Sequence, residues 1–207
     1  MRPSGLVVSS VLTLLTLASP AAAEWFADAY IGASLTSKDE ITFTTFGVER
    51  KQDADFKSSA IFGLRFGKWL DDLPWLGFAV DGSYFRASAD VQVFPITGLV
   101  MLRYGFLKDE EFKEGRLQPY AGIGGGLFIS NLDGSIGFVE GSDTSSDIGL
   151  DPRLGVAYRI ESNWAAFLEY RFTHVSPTYT VEPFGGRTPA DTTLNTNHFL
   201  LGLSYRF

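Results

Sequence analysis

From Phe26 to the end, most of the chain alternates apolar residues with small, polar or charged ones. Successive side chains of a strand point to opposite faces, so each alternating stretch is a strand with one greasy side. The C-terminal stretch shows it most clearly. Phe199, Leu201, Leu203, Tyr205 and Phe207 share one face; His198, Leu200, Gly202, Ser204 and Arg206 share the other. Seven earlier segments read the same way: about Phe26 to Thr36, Ser59 to Trp69, Leu76 to Ala87, about Phe94 to Leu107, Leu117 to Ser130, Leu150 to Ile160 and Trp164 to Thr173. In the last of these, Trp164, Ala166, Leu168, Tyr170 and Phe172 oppose Ala165, Phe167, Glu169, Arg171 and Thr173.

The links between segments fall into two sets. Leu70–Trp75, Lys108–Arg116 and Glu161–Asn163 are short, whereas Ser37–Ser58, Asn131–Gly149 and His174–Leu194 are long. Ser88–Val93 is the weak member of the long set. An even strand count, with short turns at one end and long loops at the other, predicts an all-β fold: an eight-stranded antiparallel transmembrane β-barrel. A soluble eight-stranded barrel would show the same alternation with its greasy face inward. Three features favour the membrane form. The non-apolar face carries glycines and isolated charges of both signs, namely Arg65, Asp81, Arg103, Arg159, Glu169, Arg171 and Arg206, which suit a paired lumen network. Aromatics gather at strand ends, with Trp69, Trp75, Tyr104, Phe106, Trp164, Tyr205 and Phe207 forming one interfacial girdle. A bare C-terminal Phe is explained by lipid and not by water. The interior of so small a barrel is filled by its own side chains, which argues against a wide pore.

The first residues add a compartment. Arg2, an apolar run from Leu6 to Leu17 and the end Ala21-Ala22-Ala23 predict a secretory signal peptide over residues 1–23, leaving 24–207 as one barrel domain. The apolar run is too short for a span of about 20 residues. With no Cys after that site, a lipid anchor is excluded and stability rests on backbone pairing and packing. Loss of Arg2 takes the net charge from −7 to −8, the wrong sign for a nucleic-acid partner.

Three stretches carry a family resemblance. Gln118-Pro119-Tyr120-Ala121-Gly122-Ile123-Gly124-Gly125-Gly126, Leu168-Glu169-Tyr170-Arg171-Phe172 and the ending Gly202-Leu203-Ser204-Tyr205-Arg206-Phe207 resemble strands of OmpA-like and opacity-type outer-membrane barrels. The resemblance spans the mature chain. It implies residence among outer-membrane lipids and insertion by the barrel assembly machinery, whose signal maps onto Leu201, Leu203, Tyr205 and Phe207. The peptidoglycan-binding domain that OmpA adds after its barrel is missing, so wall anchoring is not implied.

Candidate chemistry is sparse. The glycines Gly122 to Gly126 lack the following helix that a phosphate cradle needs, and serve better to clear room in the lumen. His174 and Ser176, at the outward end of the seventh segment, are similar to the His-x-Ser pair of the lipid A 3-O-deacylase family. That resemblance implies His as general base and Ser as nucleophile. Pro177 stands where the family has Asn, and the acidic partner is reduced to Glu182 or Asp191, neither well placed. Asp133, Asp143, Asp147 and Asp151 do not reproduce a calcium-loop spacing and read as a solvated loop. His174 and His198 are too few for a transition-metal site. The expectation is therefore a structural or surface-interaction barrel without catalysis, cofactor or metal. Loops 37–58, 131–149 and 174–194 would meet any extracellular ligand. The alternatives are a deacylase-like hydrolase using His174 and Ser176, and a narrow solute conduit past Arg65, Asp81, Arg103 and Glu169.

Overall fold

The computed structural model describes residues 24–37, 39–45, 48–54, 58–88, 91–136, 139–181 and 188–207. The signal segment 1–23 and Glu182 lie outside the described residues. The strands, in chain order, are β1 (Trp25–Thr36), β2 (Asp39–Thr45), β3 (Val48–Ala54), β4 (Ser58–Trp69), β5 (Leu76–Arg86), β6 (Val91–Arg103), β7 (Leu117–Ile136), β8 (Val139–Arg159), β9 (Trp164–Val175), β10 (Thr178–Val181), β11 (Thr188–Asp191) and β12 (Leu194–Arg206). Eight of them close a barrel in the order β1-β12-β9-β8-β7-β6-β5-β4, and β10-β11-β2-β3 form a separate sheet. The barrel strands are those that the alternation predicts. The fourth ends at Arg103 rather than Leu107, with Phe106 bridging to Leu117 beyond it.

Closure joins the two ends of the chain. β12 pairs antiparallel with β1, setting Gly202 opposite Tyr30, and Trp25 and Phe207 exchange backbone hydrogen bonds of 3.0 Å. Lipid offers no partner for a backbone amide, so this last ladder leaves no open edge. Pro95 has no N–H to give. The β5–β6 pairs run to Gly82↔Ile96 and resume at Phe85↔Val93, on either side of it.

The outer wall is an apolar band. Ile31, Phe62, Leu64, Val80, Ile96, Ile123, Leu154, Leu168, Leu201 and Leu203 all stand exposed on it. On every strand the run stops at a polar outward residue at the end away from the termini: Ser37, Ser58, Arg86, Gln92, Asn131, Ser146, His174 and Asn197. Near the termini an aromatic girdle closes the band. Trp164 meets Tyr205 at 4.9 Å between ring centroids, Tyr205 stacks on Phe207 at 5.9 Å, Phe207 meets Phe66 at 6.3 Å, and Phe66 stacks on Trp25 at 5.3 Å. Trp69 is not part of it. It shares parity with Arg65 and Gly67, points inward and lies over Gly77, where an added Cβ would come within 2.6 Å of its ring.

The three long segments expected as loops contain strands instead. β2 and β3 lie within 37–58, β10 and β11 within 174–194, and β7 and β8 continue as a paired ribbon up to Ile136↔Val139. β2 reads Asp39-Glu40-Ile41-Thr42-Phe43-Thr44-Thr45 and β3 Val48-Glu49-Arg50-Lys51-Gln52-Asp53-Ala54, without the sustained apolar alternation that marks the wall strands in sequence.

Candidate functional site

Inward side chains fill the barrel in three layers, because each strand contributes every second residue to the lumen. The uppermost, on the side of the long ribbons, is apolar. Ile61, Phe85, Val93, Phe128, Val175 and Leu194 are buried there, with Leu132 and Tyr179 above them. Tyr179 stands outside the membrane band, and burial pushes its phenol up to about 12. His198 sits beneath this cork. It shares hydrogen bonds with Ser34 Oγ at 2.7 Å and Thr173 Oγ1 at 3.0 Å, and meets Phe85 edge-on at 4.7 Å.

The middle layer is ionic. Arg65 donates through Nε to Asp28 and through Nη1 to Glu169, both at 2.7 Å. Arg171 reaches Asp81 twice at 3.2 Å and Glu169 at 3.0 Å, and Arg153 donates to Asp81 at 3.0 Å and Asp151 at 2.6 Å. Tyr30 donates to Asp81 at 2.7 Å, and Tyr120 to Glu169 at 2.8 Å. Burying charge at this depth is tolerable because each group finds an opposite one and several hydrogen bonds. Glycines make the space: Tyr120 lies over Gly155 and Tyr30 over Gly63, the register partners that face them.

Arginines dominate the lowest layer, at the end of the termini. Glu24 receives Arg206 Nη1 and Arg103 Nη2 at 2.6 Å each, with Arg159 Nη1 at 3.7 Å. Burial would raise the Glu24 carboxyl, but Arg206, Arg103 and Arg159 outweigh it and hold it at about 2. Gln118 accepts from Arg206 at 2.7 Å, and Arg103 lies 4.3 Å from the Trp69 ring centroid. The turn between β6 and β7 folds across this mouth. Asp109 receives the backbone N–H of Phe112 at 2.7 Å, and the buried Phe112 ring lies under Arg116 and Arg159.

Of the lumen residues named from the sequence, Arg65, Asp81, Glu169 and Arg171 come together in the middle layer, and Arg103 and Arg206 join Glu24 below. Arg159 sits at the rim of that lower group, where it also contacts the Ser162 carbonyl. Sequence reasoning missed Glu24, Asp28, Tyr30, Tyr120 and Arg153 as members, and assigned Asp151 to a solvated loop. Asp151 is instead buried against Arg153, because β8 already lies in the barrel wall there. Asp28 and Arg153 stand at inward positions of their strands, and that parity was the available signal.

His174 and Ser176 both face outward at the upper edge of the band. His174 Nδ1 pairs with Asn195 Oδ1 at 2.7 Å and Ser176 Oγ with Thr193 Oγ1 at 3.3 Å. Each faces a neutral partner across the β9–β12 seam, where a triad needs its His oriented by a carboxylate. Asp191 pairs in backbone register with Thr178 at the start of β10. Leu201, Leu203 and Tyr205 lie on the outward face of β12, with Phe207 in the girdle. Among the described residues no group of three or more His, Asp or Glu could hold a metal ion. A lumen cavity of about 20 Å³ remains between the middle and lower layers, bordered by Asp28, Gln118 and Arg206.

Comparison with known proteins gives concordant results. A family model described as outer membrane protein beta-barrel domain matches residues 9–207. Outer membrane protein A of Serratia marcescens is 27% identical over 181 residues, which is 86% of this chain; the chain spans 42% of that protein's length. Among solved structures, the outer membrane protein OprG of Pseudomonas aeruginosa superposes with a TM-score of 0.64 at 14% identity, covering 90% of this chain and 96% of that one. The outer membrane protease OmpT of Escherichia coli gives 0.53 at 10% identity, covering 93% and 99%. At these identities the structural likeness is one of fold, a fold that a protease also uses.

Proposed function

Because the chain belongs to the outer membrane protein beta-barrel domain family, and so resides in the outer membrane, we propose that it is a closed, non-catalytic barrel that displays its long ribbons for recognition at the cell surface. One observation carries this reading: the apolar cork, the ion network and the Phe112 turn fill the lumen one above another, while β7 and β8 extend as a paired ribbon past the band. A path for solute would have to break buried ion pairs at 0 to 6% side-chain exposure, such as Arg65–Asp28 and Arg153–Asp81. The ribbons have the opposite properties. They extend from a rigid wall beyond the band, the position at which binding residues concentrate.

In this reading His174 and Ser176 are boundary residues, residues 1–23 are removed on export, and β12 with Phe207 presents the sequence read by the assembly machinery. No cofactor or metal is required. Planar-bilayer recording of the refolded mature chain is expected to give a silent membrane; regular conductance steps would sink the closed-barrel reading. Lipid A incubated with the protein should keep its mass, and loss of one acyl chain would establish the hydrolase instead.

A further inference from the structure

We infer that the lumen cavity behind the closing seam is a binding site for one water molecule, which bridges Asp28 on β1 to Arg206 on β12 and joins the two ionic layers. The site belongs to the inside of the wall and stands whatever the ribbons recognise.

The ladders bring polar side chains of three adjacent strands to this cavity. Asp28 is the register partner of Ser204 across β1–β12 and of Arg65 across β1–β4, and Arg206 follows Ser204 on the same inward face. All four line the cavity, with Gln118 reaching it from β7 and Ala157 from β8. A buried water needs about 10–15 Å³ and roughly two to four polar partners. The cavity offers about 20 Å³ and more than enough polar groups.

Two of the lining groups have bonding capacity that their neighbours do not meet. Asp28 receives Arg65 Nε on Oδ2 at 2.7 Å, while its Oδ1 is buried and unpartnered among the described residues. Arg206 donates through Nη1 to Glu24 at 2.6 Å and to Gln118 at 2.7 Å, while its Nε is likewise buried and unpartnered. An unmet acceptor and an unmet donor on ionised groups are both costly, and one molecule that donates and accepts removes both costs. Other small occupants fit the charges worse: a chloride would face the Asp28 carboxylate, and a sodium ion the Arg65 and Arg206 guanidiniums. The water also completes a chain. Asp28 leads through Arg65 to Glu169 above, and Arg206 leads through Glu24 to Arg103 below. Among the described residues no hydrogen bond or ion pair joins these two groups directly. Ser34–His198 and Glu24–Arg206 tie the seam on either side of this level, and the water ties it between them.

The test begins with crystals of the mature chain refolded in detergent and grown in sodium bromide. One water peak is expected within about 3.2 Å of Asp28 Oδ1 and Arg206 Nε. An anomalous bromide peak there, or no density in the cavity, would overturn the site. A pair of variants gives a second reading. Ala157→Val and Ala157→Thr add side chains of nearly equal shape at the cavity wall; each displaces the water, and only threonine returns a hydroxyl to its partners. With folding checked by a heat-modifiable band, the urea midpoint of Ala157→Val should lie about 0.5–1.5 M below that of Ala157→Thr, the cost of stranding buried polar groups. A valine midpoint equal to or above the threonine one would mark a dry, apolar cavity and overturn the proposal. Amide exchange in Ala157→Val should quicken about tenfold along the β1–β12 ladder and stay unchanged along β6–β7, on the far side of the barrel. An equal change in both ladders would overturn the bridge across the seam. If neither variant folds, the wild-type density decides alone.

Discussion

Replacing Arg171 by Leu removes the guanidinium with the densest set of partners in the lumen. Its Nη1 donates to Tyr30 at 3.1 Å and to Asp81 at 3.2 Å; its Nη2 donates to Asp81 at 3.2 Å and Glu169 at 3.0 Å. Removing one partner of a buried pair costs about 3–5 kcal/mol, chiefly because the other charge is left uncompensated. Asp81 keeps Arg153 and Tyr30, and Glu169 keeps Arg65 and Tyr120, which places the expected loss near the low end, about 3 kcal/mol. With a urea dependence of about 2 kcal/mol per molar for a chain of this size, the unfolding midpoint should fall by about 1.5 M. The assay is tryptophan fluorescence of the protein folded into phosphatidylcholine vesicles, titrated from both directions. Asp81→Leu combined with Arg171→Leu should cost less than the two singles summed, since the pair leaves together. An Arg171→Leu midpoint equal to wild type, with no coupling to Asp81, would refute the view that these contacts stabilise the barrel.

Other expectations concern single positions. The Glu24 carboxyl, ordinarily at 4.5, sits at about 2 in the fold, so its stabilisation is complete above the ordinary value and is lost as pH falls towards 2. The stability gap between wild type and Glu24→Gln should therefore be present at pH 7 and vanish near pH 2 in urea titrations; a gap persisting at pH 2 would contradict the pairing. Gly155→Leu should fail to give a heat-modifiable band, because its Cβ collides with the Tyr120 ring and approaches the Leu168 carbonyl at 2.8 Å. Phe207→Ala should lower the stability of refolded protein by about 1–3 kcal/mol, given its two ring contacts with Tyr205 and Phe66. In cells it should reduce outer-membrane yield, measured by fractionation, and an unchanged yield would remove the assembly role.

The barrel was legible because lipid forces each strand to keep one apolar face, and Phe199 to Phe207 show that rule without interruption. Inward parity likewise placed Arg65, Asp81, Glu169 and Arg171 in one interior. Their partners were not legible, since Arg65 and Glu169 are 104 residues apart and meet through ring closure. The cork was hidden for another reason. Ile61, Phe85 and Phe128 are apolar on the inward face, which blurs alternation where the lumen turns greasy. Trp69 was placed in the girdle from its nearness to a strand end, although its parity with Arg65 already pointed it inward.

The meeting of Trp25 with Phe207 has a mechanical consequence. Two backbone hydrogen bonds hold Trp25 against Phe207, so the seam where β12 meets β1 resembles the other seven ladders. A circular permutant of residues 24–207, with a short linker joining Phe207 to Glu24 and new ends opened between Ile136 and Val139, keeps every ladder and every lumen pair. It moves the terminal aromatic to the interior of the sequence. Such a molecule separates what the finished barrel needs from what its delivery needs, two requirements that the natural order of strands keeps in one place.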